Sequence, residues 1–158
     1  MFLSKSFAYA IRGILYISLL QQERHRIQVA EIAEELRVPR HFLAKIFQAL
    51  VKENLLISTK GPHGGFQLNQ DTLKRSLYDV YKVTDDTDFI NYCEFRFHQC
   101  GKKSFCPLHE SLKKIRADFI TLLHQTTIGD LMSENSGLSI ENISAIAGLP
   151  VPDLNHSG

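Results

Sequence analysis

The sequence contains no apolar stretch long enough to cross a bilayer, and its net charge is only +1. The first absence removes helical membrane spans. The second means that bulk electrostatics gives no pointer to a polyanionic partner. Residues 13–20 are apolar and follow Lys5 and Arg12, as in an export signal, yet the run is short and passes into the polar stretch 21–26. A cytoplasmic location is therefore expected. No internal repeat is present, and the three cysteines are an odd count that does not suit a disulfide framework. Enzyme signatures are missing as well. There is no nucleophile elbow and no paired-carboxylate arrangement, and the one Gly-rich turn joins two strands instead of leading a strand into a phosphate-binding helix.

What is present is unevenly distributed. Residues 1–75 carry 11 Lys and Arg against 6 Asp and Glu, whereas residues 76–158 carry 7 against 11. A basic first half places any phosphate-facing surface there. Within it, Phe7, Ala10, Ile11, Ile14 and Ile17 recur at helical spacing behind Ser4 or Ser6 as N-cap. A second helix is predicted over 28–36, with Val29, Ile32, Ala33 and Leu36 on one face. A third runs from Pro39 at its first position to about residue 53, burying Phe42, Leu43, Ile46, Phe47, Leu50 and Val51. A strand over 55–59, the turn Lys60, Gly61, Pro62, His63, Gly64, Gly65 and a returning strand over 66–68 complete the series.

Three helices followed by a Gly-turned hairpin are the element order of a winged helix-turn-helix. If the apolar side of the third helix faces the core, the opposite side presents Arg40, His41, Ala44, Lys45 and Gln48. Those residue types suit base edges and phosphates of duplex DNA in the major groove. Lys60 and His63 on the wing add phosphate contacts. An ordinary solvated face is the alternative reading of the same polar row.

Beyond the wing, one amphipathic helix is expected over 73–83. A polar loop over 85–106 then holds Cys93, Cys100 and Cys106 in a C-x6-C-x5-C pattern. Pro107 opens a long helix in which Leu108, Leu112, Ile115, Phe119 and Leu122 alternate by four and three residues, a seam suited to a homodimer. Cys106 is expected at the N-cap, where the positive end of the helix would favour its thiolate, with His109 in the first turn. Three thiols and an imidazole suggest soft-metal ligation. An iron–sulfur cluster, a single Cys3His zinc site and free, redox-active thiols all remain open on spacing alone. The organisation read from the sequence is thus mainly α with a small β-hairpin: a winged helix-turn-helix over 1–84, a cysteine-bearing sensor loop over 85–106, a dimerisation helix over 107–132 and a flexible tail over 133–158. Within the tail, Ile140, Ile143 and Ile146 leave room for one short helix.

Several of these segments together resemble a known family. Leu3, Ser4 and Lys5, Tyr9 to Arg12, Glu31, Ile32 and Ala33, Phe42 to Phe47 and the Lys60–Phe66 wing are similar to the Rrf-type winged-helix regulators. That family includes iron–sulfur cluster regulators, nitric-oxide-sensing repressors and cysteine-metabolism repressors. The resemblance covers about residues 1–132. It implies a homodimer on a palindrome-like DNA operator and, in many members, a sensory cofactor. It further implies an iron–sulfur cluster on Cys93, Cys100, Cys106 and His109, of the 2Fe–2S rather than the 4Fe–4S type. Where the nitric-oxide-sensing branch uses an acidic ligand from the partner's first helix, this chain has Ala8. His98 is a second candidate for the fourth ligand. A zinc-stabilised dimeric interaction module and a cluster-free thiol-sensing regulator are the competing functions.

Overall fold

The computed structural model describes residues 3–21, 23–85, 87 and 107–133. Cys93, Cys100, Cys106, His98 and the tail from residue 134 lie outside the described residues, as does the possible tail helix. The elements follow the order helix α1 (Lys5–Leu20), α2 (Val29–Glu35), α3 (Arg40–Lys52), strands β1 (Leu56–Thr59) and β2 (Gly65–Leu68), α4 (Leu77–Thr84) and α5 (His109–Gln125).

α1 is the spine of the fold. Ser4 is its N-cap, accepting from the Phe7 N–H at 3.0 Å. More than a stripe is buried: Leu15, Tyr16 and Leu20 join Phe7, Ala10, Ile14 and Ile17. α3 lies across it through Leu43, Ile46, Phe47 and Leu50, all buried. Phe42 and Val51, predicted as core, are only partly buried. The Phe42 ring instead meets Tyr9 edge-on at a centroid distance of 5.9 Å. Pro39 is the N-cap of α3, one place earlier than expected, because its ψ of 126° is extended.

β1 and β2 form an antiparallel pair in the register Leu56 with Leu68 and Thr59 with Gly65. Ile27 extends the sheet by a single rung, exchanging N–H···O bonds with Phe66 at 3.0 and 2.8 Å. The segment between α1 and α2 is thereby stitched to the wing.

The helix predicted over 73–83 is divided. A 3₁₀ turn, Thr72–Lys74, precedes α4, and Arg75 and Ser76 between them are extended. The cause is a pairing that no local pattern shows. Leu77 N–H donates to Thr126 O and Ile128 N–H to Arg75 O, each at 2.9 Å, so this backbone is committed to the segment after α5. α4 then restarts with a capping box: Ser76 Oγ accepts from the Asp79 N–H while the Asp79 carboxylate accepts from Ser76 N.

Arg75 and Lys82 flank the same carboxylate at 2.9 and 3.2 Å. The hydrogen bond from Arg75 holds Asp79 well below the usual carboxylate range; partial burial opposes this, and Lys82 adds to it. Because the native value is depressed, its stabilising contribution is complete above pH ~4, the unfolded value, and disappears as pH falls toward the native one. Asp79→Ala should cost about 1 kcal/mol near neutrality. The cost should shrink as pH falls below ~4 and vanish only near the depressed native value, so urea melts at pH about 7 and about 2 should give a clearly smaller cost at the lower pH. An equal cost at both pH values would mean that the ionised carboxylate is not what caps α4.

α5 packs on α4 through ring contacts of Phe119 with Tyr81 and of His124 with Tyr78, and its Leu123 and Arg116 are buried. Tyr81 bridges Phe7 of α1 and Phe119 of α5 by edge-to-face contacts at 6.2 and 5.9 Å. The other side of α5 leaves Leu108, Ile115 and Leu122 exposed by 46, 48 and 59%.

Candidate nucleic-acid interface

The third helix turns two chemistries in opposite directions. Its apolar positions 43, 46, 47 and 50 go inward, while Arg40, His41, Lys45 and Gln48 are exposed and Ala44 is half-covered. One helical turn separates Arg40 from Ala44 and Ala44 from Gln48, so the row runs along a single face. Pro39 gives no side-chain hydrogen bond to the start of α3, a helix end that favours anions, and Arg40 is the first residue there.

The wing brings Lys60 and His63, both exposed, to the tip between β1 and β2. Gln28, at the N-cap of α2, donates from Nε2 to Pro62 O at 3.3 Å and so holds the wing tip to the helix-turn-helix. Sequence reasoning missed this contact. The partners are 34 residues apart, and nothing local to either one signals it.

α2 is pinned in turn by its own acidic residue. Arg24 donates to both carboxylate oxygens of Glu31, at 3.0 and 2.5 Å, and Tyr16 Oη donates to the same group at 3.4 Å. Burial, reinforced by the Glu31 charge, pushes the Tyr16 hydroxyl up to about 12. The phenol therefore stays protonated and remains a donor.

The second candidate site is only partly described. His109 is the first residue of α5, and its Nε2 lies 3.8 Å from Glu110 Oε1. The N-cap expected at Cys106 is instead Leu108, since the chain passes through a turn at Pro107 and Leu108 before the helix begins. Among the described residues, no three His, Cys, Asp or Glu side chains converge as a metal site.

A model of the Rrf2 family, described as an iron-dependent transcriptional regulator, matches residues 3–134. The chain belongs to the Rrf2 family. Among its relatives, protein aau3 of Rhizobium meliloti is 33% identical over 82% of this chain and 84% of its own length. The HTH-type transcriptional regulator IscR of Vibrio vulnificus is 26% identical over 85% of this chain and 79% of its own. The solved structure of CymR, the global cysteine regulator of B. subtilis, superposes with a TM-score of 0.67. It does so at 20% identity over 82% of this chain and 94% of that one, a likeness of fold.

This Rrf2-family chain is accordingly a DNA-binding transcriptional regulator and not an enzyme. The winged helix-turn-helix expected from the element order is its architecture. Among the described residues no helix is long and apolar enough to cross a membrane.

Proposed function

We propose that the chain acts as a homodimer on duplex DNA and that an iron–sulfur cluster governs its DNA affinity. The observation that carries the DNA reading is the exposed row on α3 beside the wing. Arg40, His41, Ala44, Lys45 and Gln48 would enter the major groove, with Lys60 and His63 on the flanking phosphates. The dimer reading rests on α5. Its apolar row from Leu108 to Leu122 has coiled-coil spacing, and three of its five members are exposed on a single chain.

Cys93, Cys100, Cys106 and His109 are the proposed cluster ligands. As a donor set, three thiolates and an imidazole fit an iron–sulfur centre, and the family description as iron-dependent supports iron over zinc. When bound, the cluster would supply a centre responsive to iron–sulfur supply, redox state or nitric oxide. The chain's own part is the connection to the DNA-binding unit. Asp85, where the cysteine segment departs, accepts from Ser4 N and Ser4 Oγ at 3.0 and 2.9 Å. Ser4 caps α1, and α1 carries α3. A change in the loop alters DNA affinity only if the two loop arrangements hold DNA with different affinities.

Protein prepared anaerobically with iron and sulfide should contain both elements and absorb visible light. Ala variants of Cys93, Cys100 or Cys106 should lose the absorption and the cluster-dependent part of DNA affinity. One zinc per chain without sulfide would replace this reading with a zinc-stabilised module. Neither metal nor sulfide, together with thiol oxidation that alters DNA affinity, would replace it with a cluster-free thiol sensor. For the DNA surface, Arg40→Ala or His41→Ala should cost about 1–3 kcal/mol and relax base preference.

A further inference from the structure

The turn between α2 and α3 contains a residue whose backbone and side chain are at odds. After Leu36, the C-cap of α2, Arg37 adopts a φ of +53°. Its N–H donates to Glu34 O at 3.1 Å and the Val38 N–H donates to Ala33 O at 2.9 Å. That pair of bonds is the Schellman motif, and its left-handed position is where glycine sits without strain. Among the described residues the other left-handed non-glycine is Asn54, whose side chain tolerates the conformation. Arginine has no such compensation.

Nothing in the turn calls for the guanidinium. Val38, the next residue, is buried and anchors the turn, whereas Arg37 is exposed. None of the ion pairs among the described residues involves it. It stands three residues before Arg40, at the end of α3 that carries the groove-facing row. A cation kept at a strained position beside that row is accounted for by a ligand outside the chain.

The geometry points to Arg37 as a further DNA contact, gripping a phosphodiester of the strand that borders the groove α3 enters. This assignment rests on the reading of α3 as the groove-facing helix. It predicts a stability change and an affinity change of opposite benefit from one substitution. Arg37→Gly removes the strain, so thermal unfolding should move up by ~2–4 °C. Affinity for a random-sequence duplex should nonetheless fall by roughly threefold to tenfold near physiological salt. The plot of log affinity against log salt should become shallower by about 0.9 for each Arg37 engaged. Arg37→Lys should retain most of that slope.

Fluorescence anisotropy across a salt series, with Arg40→Ala and Lys60→Ala measured alongside, decides the matter. Unchanged affinity and slope in Arg37→Gly, while the two reference variants weaken binding, overturns the contact alone. Weakened binding with an unchanged slope also overturns it, because the effect would then come from the shape of the turn. If none of the three variants alters binding, the placement of the α3 face fails and this contact fails with it.

Discussion

Replacing Phe47 by alanine should lower the unfolding free energy by about 3–5 kcal/mol. The ring is fully buried and meets Phe66 of β2 edge-on at 5.0 Å, so it joins α3 to the wing strand. On its other side it fills the space over Gly13 of α1, where an added Cβ would come within 2.5 Å of Phe47 Cζ. Three elements therefore share one side chain, and its removal leaves a cavity between helices that meet almost backbone to ring. A domain of this size has about 5–15 kcal/mol in hand, so the variant should be marginal and should bind DNA poorly. The complementary change tests the same contact. Gly13→Ala should cost about 1–3 kcal/mol by overpacking, and much less when Phe47 is already leucine. Urea melts of the four proteins in that cycle give the coupling directly. Additive costs would show that the ring does not press on Gly13.

This junction also shows why so much of the DNA-binding half could be read in advance. Positions 43, 46, 47 and 50 repeat with the helical period, so the sequence separates the inward side of α3 from its outward row without tertiary information. The glycines and proline at 61–65 mark the wing just as locally. The errors arise where distant backbone decides. The break before α4 exists because residues 75–77 pair with residues 126–128. The Ser4–Asp85 link spans 81 positions, and the rung between Ile27 and Phe66 joins a connecting segment to a strand. A proline rule puts the start of α5 at Pro107. Pro107 occupies a turn instead, and the helix begins at His109. The left-handed backbone of Arg37 had no sequence signal, since arginine is an unusual occupant of that conformation.

The same contrast between local rule and tertiary setting bears on two wing glycines, whose alanine variants should behave very differently. Gly61 has a φ of +106° but open space around it, so Gly61→Ala meets only backbone strain, about 1–2 kcal/mol. Gly64 is buried, and its N–H closes the turn onto Gly61 O at 2.9 Å. A Cβ there would lie 2.1 Å from Thr59 O and 2.9 Å from both Gly61 O and Lys60 C. All three are backbone atoms of the opposing arm, so no side chain can swing aside to admit it. Gly64→Ala must reopen the turn that presents Lys60 and His63, while the contacts of α1 with α3 stay intact. Far-UV circular dichroism should then keep its helical signal, and stability should fall by about 1–3 kcal/mol. DNA affinity should drop by roughly tenfold or more, equivalent to at least about 1.4 kcal/mol, because the wing loses its fixed angle to α3. Anisotropy titrations of both variants supply the comparison. If Gly64→Ala bound DNA as well as Gly61→Ala, the wing would contribute to the fold and not to the grip on DNA.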